Sequence, residues 1–230
     1  NAGPGGVANV SFGVADSNVL NNLMINSQVI ANGALGDTIL INAKNSVVTG
    51  DGGLLQADAV QVNTAGTLPN IDITTNARQI VLNVLGGAPN VAINNSLFSG
   101  PTSLLMNGGT FRSATFLANS NLNFFGAFQA DNLLIGAPNG IVNFQGPVFI
   151  TGATPFAPTA PDLELFRIMR ARGLSPPSSG PSVQILGGQG INMPNTFRLG
   201  GANPFIKMFS NRGFNTPGLT TNASNLLAVF

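Results

Sequence analysis

Few residues of this chain could do chemistry, because it has no histidine, no cysteine, and only nine basic and eight acidic residues. Within residues 18–152, two pairs of charged residues lie close enough in sequence to act together, Asp51 with Asp58 and Asp72 with Arg78. Two carboxylates on one surface could cleave a glycosidic bond. Tyr and Trp, which usually supply the sugar-stacking surfaces of such sites, are absent. The pattern therefore favours surface corner residues, and we expect no enzyme activity.

Other motifs for catalysis, metal binding or cofactor binding are missing from the sequence. A Ser-His-Asp triad needs a histidine, and a thiolate nucleophile or Cys-ligated metal needs a cysteine. The Gly-rich residues 187–190 precede Ile191 and Asn192, where a phosphate-binding loop requires Lys and then Ser or Thr. The Gly-Asp-Gly-Gly run at 50–53 does not recur as calcium-binding repeats do. We therefore predict no catalytic residue, no metal and no cofactor.

The low charge of the chain limits its partners. Its formal net charge is +1 and 7% of its residues are charged, against about 25% in typical globular chains. Since basic residues are scattered, we expect no binding to nucleic acid, which depends on neutralising phosphates. No stretch approaches the roughly 20 apolar residues of a membrane-spanning helix. Few charges of either sign promote association between subunits.

The elements that position these residues are predicted from a recurring four-residue phrase, apolar, any residue, apolar, Asn. Side chains two apart on a strand point to one face, and Asn tolerates the left-handed conformation of a corner, so each phrase indicates a short strand followed by a turn. The phrase predicts a right-handed parallel β-helix, a β-solenoid, over residues 18–152. An antiparallel sandwich is the alternative. The candidate corner residues are Asn26, Asn42, Asn63, Asn83, Asn94, Asn107 and Asn119.

These asparagines have two interpretations. Stacked corner amides could form hydrogen-bonded rows between coils, as in cross-β structures. Alternatively, each Asn fits its own left-handed turn. Phe residues concentrate in the later coils, where they predict a stacked aromatic row inside the core. That row would contain Phe111, Phe116, Phe124, Phe125, Phe128, Phe144 and Phe149.

The composition changes outside the predicted coil. Residues 1–17 form an N-terminal tail or an exchanged strand. Residues 153–181 are rich in proline and contain one helix near 160–172, which begins with acidic and ends with basic residues. We expect this helix to cover an edge or a lateral face of the coil. Residues 182–230 are predicted as a β-rich C-terminal region docked on the coil.

One family resemblance is visible in the sequence. Residues 52–68, GGLLQADAVQVNTAGTL, resemble one repeat of the filamentous haemagglutinin type, as do residues 36–48 and 126–142 more weakly. Members of that group are exported right-handed β-helices that form fibres or adhesins, so the resemblance implies an exported structural protein. It covers about a third of the chain and transfers no functional residue.

These features predict the structural subunit of an extracellular or cell-surface filament or sheath. Its partner would be other copies of the chain, joined by end-to-end stacking or by insertion of a terminal strand. An exported β-helix adhesin, or a surface protein that binds or cleaves carbohydrate, is the alternative, with a cell-surface or matrix polysaccharide as partner. An ice-binding solenoid fits less well, because the only adjacent threonines are at 74–75 and 220–221. The candidate interface residues are Val7, Val10, Phe12, Val14, Leu226, Leu227, Val229 and Phe230.

The first residue, Asn1, also carries an expectation. Since the sequence starts with Asn rather than Met, we expect that an upstream segment was removed, with export and cleavage as the cause.

Overall fold

Parallel β-strands make up almost all of the described structure. The computed structural model describes residues 6–13, 20–31, 36–64, 70–84, 90–108, 110–151, 167, 171, 182–200, 205–217, 219–221 and 225–229. Within them, every pair of neighbouring strands is parallel. None of these residues forms a helix that is long and apolar enough to cross a membrane.

The strands are short in the terminal coils and longer in the middle. They are β1 (Asn9–Phe12), β2 (Leu20–Ile25), β3 (Gln28–Ile30), β4 (Thr38–Thr49), β5 (Leu54–Thr64), β6 (Asn70–Val84), β7 (Asn90–Asn95), β8 (Thr102–Asn107), β9 (Phe111–Ala118), β10 (Leu122–Phe125), β11 (Phe128–Ala137), β12 (Ile141–Phe144), β13 (Val148–Ile150), β14 (Ser182–Gly187), β15 (Gly190–Asn192), β16 (Phe197–Leu199), β17 (Phe205–Phe209), β18 (Phe214–Asn215), β19 (Leu219–Thr221) and β20 (Asn225–Val229).

Two stacks of strands run from one end of the described structure to the other. The first stack is β1, β4, β5, β6, β8, β10, β12, β15 and β18. The second stack is β2, β4, β6, β7, β9, β11, β14, β17 and β20. Parallel strands stacked in this way confirm the predicted β-solenoid and contradict an antiparallel sandwich.

The remaining strand pairs form two shorter stacks. In the N-terminal half β3 pairs with β5, and β5 pairs with β6. In the C-terminal half β9, β11, β13, β16 and β19 follow one another. These two shorter stacks form the third side of the coil, the first one in the N-terminal half and the second one in the C-terminal half.

The recurring phrase sets the register of the first stack. Ile39 lies beside Val60, Val60 beside Ile80, and Ile80 beside Leu104. All four side chains are at most 1% exposed. Because residues alternate between the two faces of a strand, the apolar positions of each phrase enter one continuous core. Burial of such apolar surface contributes roughly 25 cal/mol per Å² to stability.

The later coils contain the predicted aromatic row. The rings of Phe124 and Phe144 are stacked with centroids 4.8 Å apart, and Phe116 meets Phe124 edge-on at 5.3 Å. Phe125 and Phe149 are only half-buried, because each lies at an outward position beside a buried Phe124 or Val148. The buried row consists of Phe111, Phe116, Phe124, Phe128, Phe144 and Phe197.

Both terminal regions differ from expectation. Strands β14 to β20 do not dock on the coil but extend it, since β14 pairs with β11 and β15 pairs with β12 in parallel register. Likewise, residues 9–12 are not a free tail or an exchanged strand, because they pair with β4 of the same chain. Strands β1 and β20 therefore lie in the outermost described coils of one stack.

Most of the helix predicted near 160–172 lies outside the described residues. The two described residues in that range, Arg167 and Ala171, are helical and exposed. Residues four apart lie on the same side of a helix. That the helix covers an edge or a face of the coil stays a prediction.

The corner after β8 requires the glycine that follows Asn107. Gly108 comes directly after Asn107 and has a φ of 78°, a conformation that side chains other than glycine rarely adopt. A Cβ atom at this position would lie 2.6 Å from the carbonyl oxygen of Val84 in the preceding coil. This corner therefore accepts only glycine without a shift of the backbone.

Candidate functional site

Four of the predicted corner asparagines form a continuous row across neighbouring coils. They are not at turns as expected, because all four lie within strands, namely β4, β5, β6 and β8. The Nδ2 atom of each residue donates a hydrogen bond to Oδ1 of the preceding one, at 2.8 Å for Asn63 to Asn42, 2.7 Å for Asn83 to Asn63 and 2.8 Å for Asn107 to Asn83. Asn42 donates in turn to the carbonyl oxygen of Gly13 at 3.0 Å. We call Asn42, Asn63, Asn83 and Asn107 the first asparagine row.

The first asparagine row follows from the strand register. Asn42 pairs with Asn63, and Asn63 with Asn83, so neighbouring amides are one strand spacing apart, about 4.8 Å between backbones. An amide carries both donors and an acceptor, so one orientation repeated along the row satisfies every member. Gln61 also donates to Oδ1 of Asn63, at 3.0 Å. The row joins coils through side chains as well as through backbone.

A second row, at another position of the first stack, was missed by the sequence pattern. Nδ2 of Asn143 donates to Oδ1 of Asn123 at 2.9 Å, and Asn192 donates to Asn143. Each of these residues lies between two apolar residues, a pattern that could have revealed them. Register extends the second row over Asn9, Thr38, Ala59, Gln79, Ser103, Asn123, Asn143, Asn192 and Asn215.

The three other predicted corner asparagines lie outside the first row. Asn26 is exposed at the end of β2, beside Gly50, where a Cβ atom would lie 2.1 Å from the Asn26 Oδ1 atom. Oδ1 of Asn94 accepts hydrogen bonds from the backbone N–H and the hydroxyl of Ser96, so Asn94 stabilises its own turn. Oδ1 of Asn119 accepts from Asn139 at 2.8 Å.

The predicted interface residues are divided between the two ends of the stack. At one end, Val7 is 53% exposed, whereas Val10 and Phe12 pack against the core of their own chain. At the other end, Leu226, Leu227 and Val229 belong to β20. Backbone register pairs β20 with β17 of the same chain. Val14 and Phe230 lie outside the described residues.

The terminal strand β1 has an open edge among the described residues. The N–H of Thr38 donates to the carbonyl oxygen of Ala8 at 3.0 Å, and the register pairs Val10 with Ile39. Since successive residues of a strand direct their N–H and C=O groups to opposite edges, Asn9 and Ser11 direct theirs away from β4. Unpaired strand edges readily accept another strand.

The charged residues of the two predicted pairs have different partners in the structure. Arg78 pairs with Asp58 through two hydrogen bonds of 2.8 and 3.0 Å, and Gly36 N–H donates to the same carboxylate at 3.0 Å. The Arg78 guanidinium lowers the pKa of Asp58, a backbone hydrogen bond from Gly36 adds to this, and burial opposes it. The pair is largely solvent-exposed on the Arg78 side, where ion pairs contribute little.

Asp51 and Asp72 line one groove instead. The groove has a volume of about 520 Å³ and includes Thr74, Asn94 and Leu97 among its lining residues. Asp72 is half-buried there, and burial raises the pKa of Asp72. Among the described residues, no three His, Cys, Asp or Glu residues group together as metal ligands would. The described residues that line the groove present carboxylate and amide oxygens and include no basic side chain.

Comparisons with protein families, with curated protein sequences and with solved structures find no match. The resemblance to filamentous haemagglutinin-type repeats therefore stays a prediction. Function has to be inferred from the asparagine rows, the ends of the stack and the groove.

Proposed function

We propose that this chain is the structural subunit of an extracellular filament or sheath that grows by end-to-end stacking of β-solenoids. One observation carries the proposal. The first and second stacks run through the whole described structure and end in β1 and β2 on one side and in β18 and β20 on the other. Among the described strands, β1 and β2 each pair with β4 alone, β18 pairs with β15, and β20 pairs with β17.

The two ends fit a head-to-tail contact. All strands of a stack run in the same direction, so β18 of one subunit can pair with β1 of the next in the parallel sense used throughout. Such a contact joins two different surfaces and leaves both ends of the product open, which propagates a fibre rather than closing a dimer. A net charge of +1 offers little repulsion between subunits.

The second row supports the same joint. It begins at Asn9 in β1 and ends at Asn215 in β18, and both side chains are exposed. Stacking β18 below β1 in register brings Asn215 of one subunit beside Asn9 of the next. The side-chain hydrogen bonds that join Asn123, Asn143 and Asn192 within the chain would then have a counterpart across the joint.

The open edge of β1 provides the test. Ser11→Pro removes a backbone N–H that points to the open edge and leaves the groups of Val10 and Phe12 that face β4, and proline is tolerated in edge strands. Ser11→Ala is the matched control, because it keeps the N–H. We expect wild type and Ser11→Ala to form filaments by electron microscopy and fast-sedimenting polymers, and Ser11→Pro to remain monomeric with an unchanged circular dichroism spectrum.

Equal assembly of the two Ser11 variants would contradict pairing through the β1 edge. If wild type also stays monomeric at high concentration, the filament proposal itself is wrong.

The groove favours a second candidate function, binding of a polysaccharide. Asp51, Asp72 and Asn94 offer hydrogen-bond acceptors to sugar hydroxyls, and Leu97, 58% exposed at the same groove, offers an apolar contact. A small polar constellation beside an apolar surface is typical of ligand sites. The test is a glycan array probed with wild type and Asp72→Ala. Binding that Asp72→Ala abolishes would support this candidate, and no binding by wild type would contradict it.

A further inference from the structure

The outward side of the first stack presents three parallel rows whose described members are all uncharged. They are the first asparagine row, the second row, and between them a middle row formed by Leu40, Gln61, Val81, Leu105 and Phe125. We call these three rows the uncharged face. The charged residues of the strands that build it, Asp58 and Arg78 among them, lie outside these rows.

The middle row makes the uncharged face partly apolar. All five of its side chains are half-exposed, and Leu105 and Phe125 border a shallow cleft of about 440 Å³ with Arg78, Gln79 and Ser103. Aromatic side chains, phenylalanine included, are enriched in protein interfaces relative to the rest of the surface. The hydrogen bonds of the first asparagine row hold one border of the face in place, so little side-chain entropy is lost when a partner covers it.

The spacing of the rows also indicates which partner can pack against the uncharged face. Their members repeat once per coil, about 4.8 Å apart. A second solenoid of the same sequence presents the same repeat, and amide groups serve each other as donors and acceptors. Two identical uncharged faces do not repel each other, and Arg78 at the border of the cleft is already paired with Asp58.

We infer that the uncharged face binds the same face of a second copy of this chain, so that two solenoids lie side by side. A contact of one patch with itself is the geometry of a two-fold dimer. This inference rests on the proposed function, because it makes the mature filament two solenoids wide. It concerns the lateral contact, which is separate from the end-to-end joint at β1 and β18.

The test replaces apolar residues by lysine on and off the uncharged face. The face variant is Leu105→Lys with Phe125→Lys. The control is Phe98→Lys with Phe149→Lys, which adds the same charge at two half-exposed side chains on other surfaces, outside the terminal strands and the lining of the groove. We expect wild-type and control filaments to be two solenoids wide in electron micrographs, and the face variant to form filaments of half that width and similar length.

Equal widths for wild type and face variant would overturn the inference, and so would narrow filaments in the control. Failure of the proposed function gives a different result, since no filaments would form at all. In that case sedimentation velocity still decides the lateral contact. A dimer of wild type and control with a monomeric face variant would support it, and identical sedimentation of all three would overturn it.

Discussion

The Nδ2 atom of Asn83 lies 2.7 Å from Oδ1 of Asn63 and donates a hydrogen bond to it, although 20 residues separate the two in sequence. The bond exists because both residues end the same phrase one coil apart, so that register places one amide above the other. A side-chain bond between coils is sensitive to any slip of the register, which would move the two amides apart. The first asparagine row can therefore form only when neighbouring coils are in this register.

Removing the amide of Asn63 should destabilise the coil. Asn63→Ala loses the bond to Asn42 and leaves Gln61 and Asn83 without their acceptor. At a net value of about 0.5–1.5 kcal/mol for each of these three hydrogen bonds, we expect the free energy of unfolding to fall by about 1.5–4.5 kcal/mol. Urea denaturation followed by circular dichroism measures this change.

Asn76→Ala is the control for the row. Asn76 is also a half-buried strand residue, but its side chain has no hydrogen bond within the described residues. We expect a change of about 0.5 kcal/mol or less for it. Equal losses of stability in the two variants would mean that the side-chain hydrogen bonds of Asn63 do not contribute to stability.

Much of the fold could be predicted because the phrase combines two signals, alternating apolar residues and an asparagine at a fixed position after them, although that asparagine lies in the strand and not at a corner. Asn42 and Asn63 are 21 residues apart and Asn63 and Asn83 are 20 apart, so one period is visible in the sequence. The C-terminal coils could not be followed in this way. Asn143 and Asn192 are direct neighbours in the second row although 49 residues separate them, and so long an insertion hides the period.

The charged residues show a second limit of sequence reasoning. Asp58 lies seven positions from Asp51 in sequence, and Asp72 lies six positions from Arg78. In the structure, however, Asp58 pairs with Arg78, which is 20 positions away. Neighbours in sequence separate at the corners of a coil, whereas residues about one coil apart come together. The groove with Asp51 and Asp72 was missed for the same reason.

The core aromatic row should dominate the stability of the later coils. Phe124 is 3% exposed and contacts the rings of Phe116 and Phe144. Phe124→Ala should lower the free energy of unfolding by about 3–5 kcal/mol, since it leaves a cavity that the stacked strands cannot fill. Phe125→Ala, the adjacent half-exposed position, should have a much smaller effect in the same denaturation experiment. A larger loss for Phe125→Ala would mean that these strands face the opposite way.

The groove residue Asp72 should make stability depend on pH. Burial raises the pKa of Asp72 in the folded chain, so the folded state holds this proton to higher pH than the unfolded state does. Stability from Asp72 is therefore complete at pH values below the unfolded pKa and is lost as the pH rises through the folded pKa. Asp72→Asn should raise the melting temperature at pH 7 and have a smaller effect at pH 3.

Asp51→Asn removes the same charge from an exposed position at the rim of the groove and is the control for Asp72. Thermal melts of the three proteins at both pH values provide the measurement. An Asp72→Asn protein that is no more stable than wild type at pH 7 would contradict the assignment.

The joint between subunits should depend on the pair formed by Asn9 and Asn215. Both are exposed, and each ends the second row on its own side of the stack. If β18 stacks below β1, lysine at both positions places two like charges about one strand spacing apart, near 5 Å. Directly opposed like charges are destabilising.

We therefore expect Asn9→Lys with Asn215→Lys to abolish filaments, and Asn9→Lys with Asn215→Asp to restore them. High salt should partly restore assembly of the double-lysine variant, because it screens the repulsion. Filament yield by pelleting and electron microscopy measures all three effects. If the lysine-aspartate variant assembles no better than the double-lysine variant, the two residues do not meet, and the ends of the stack join in another register.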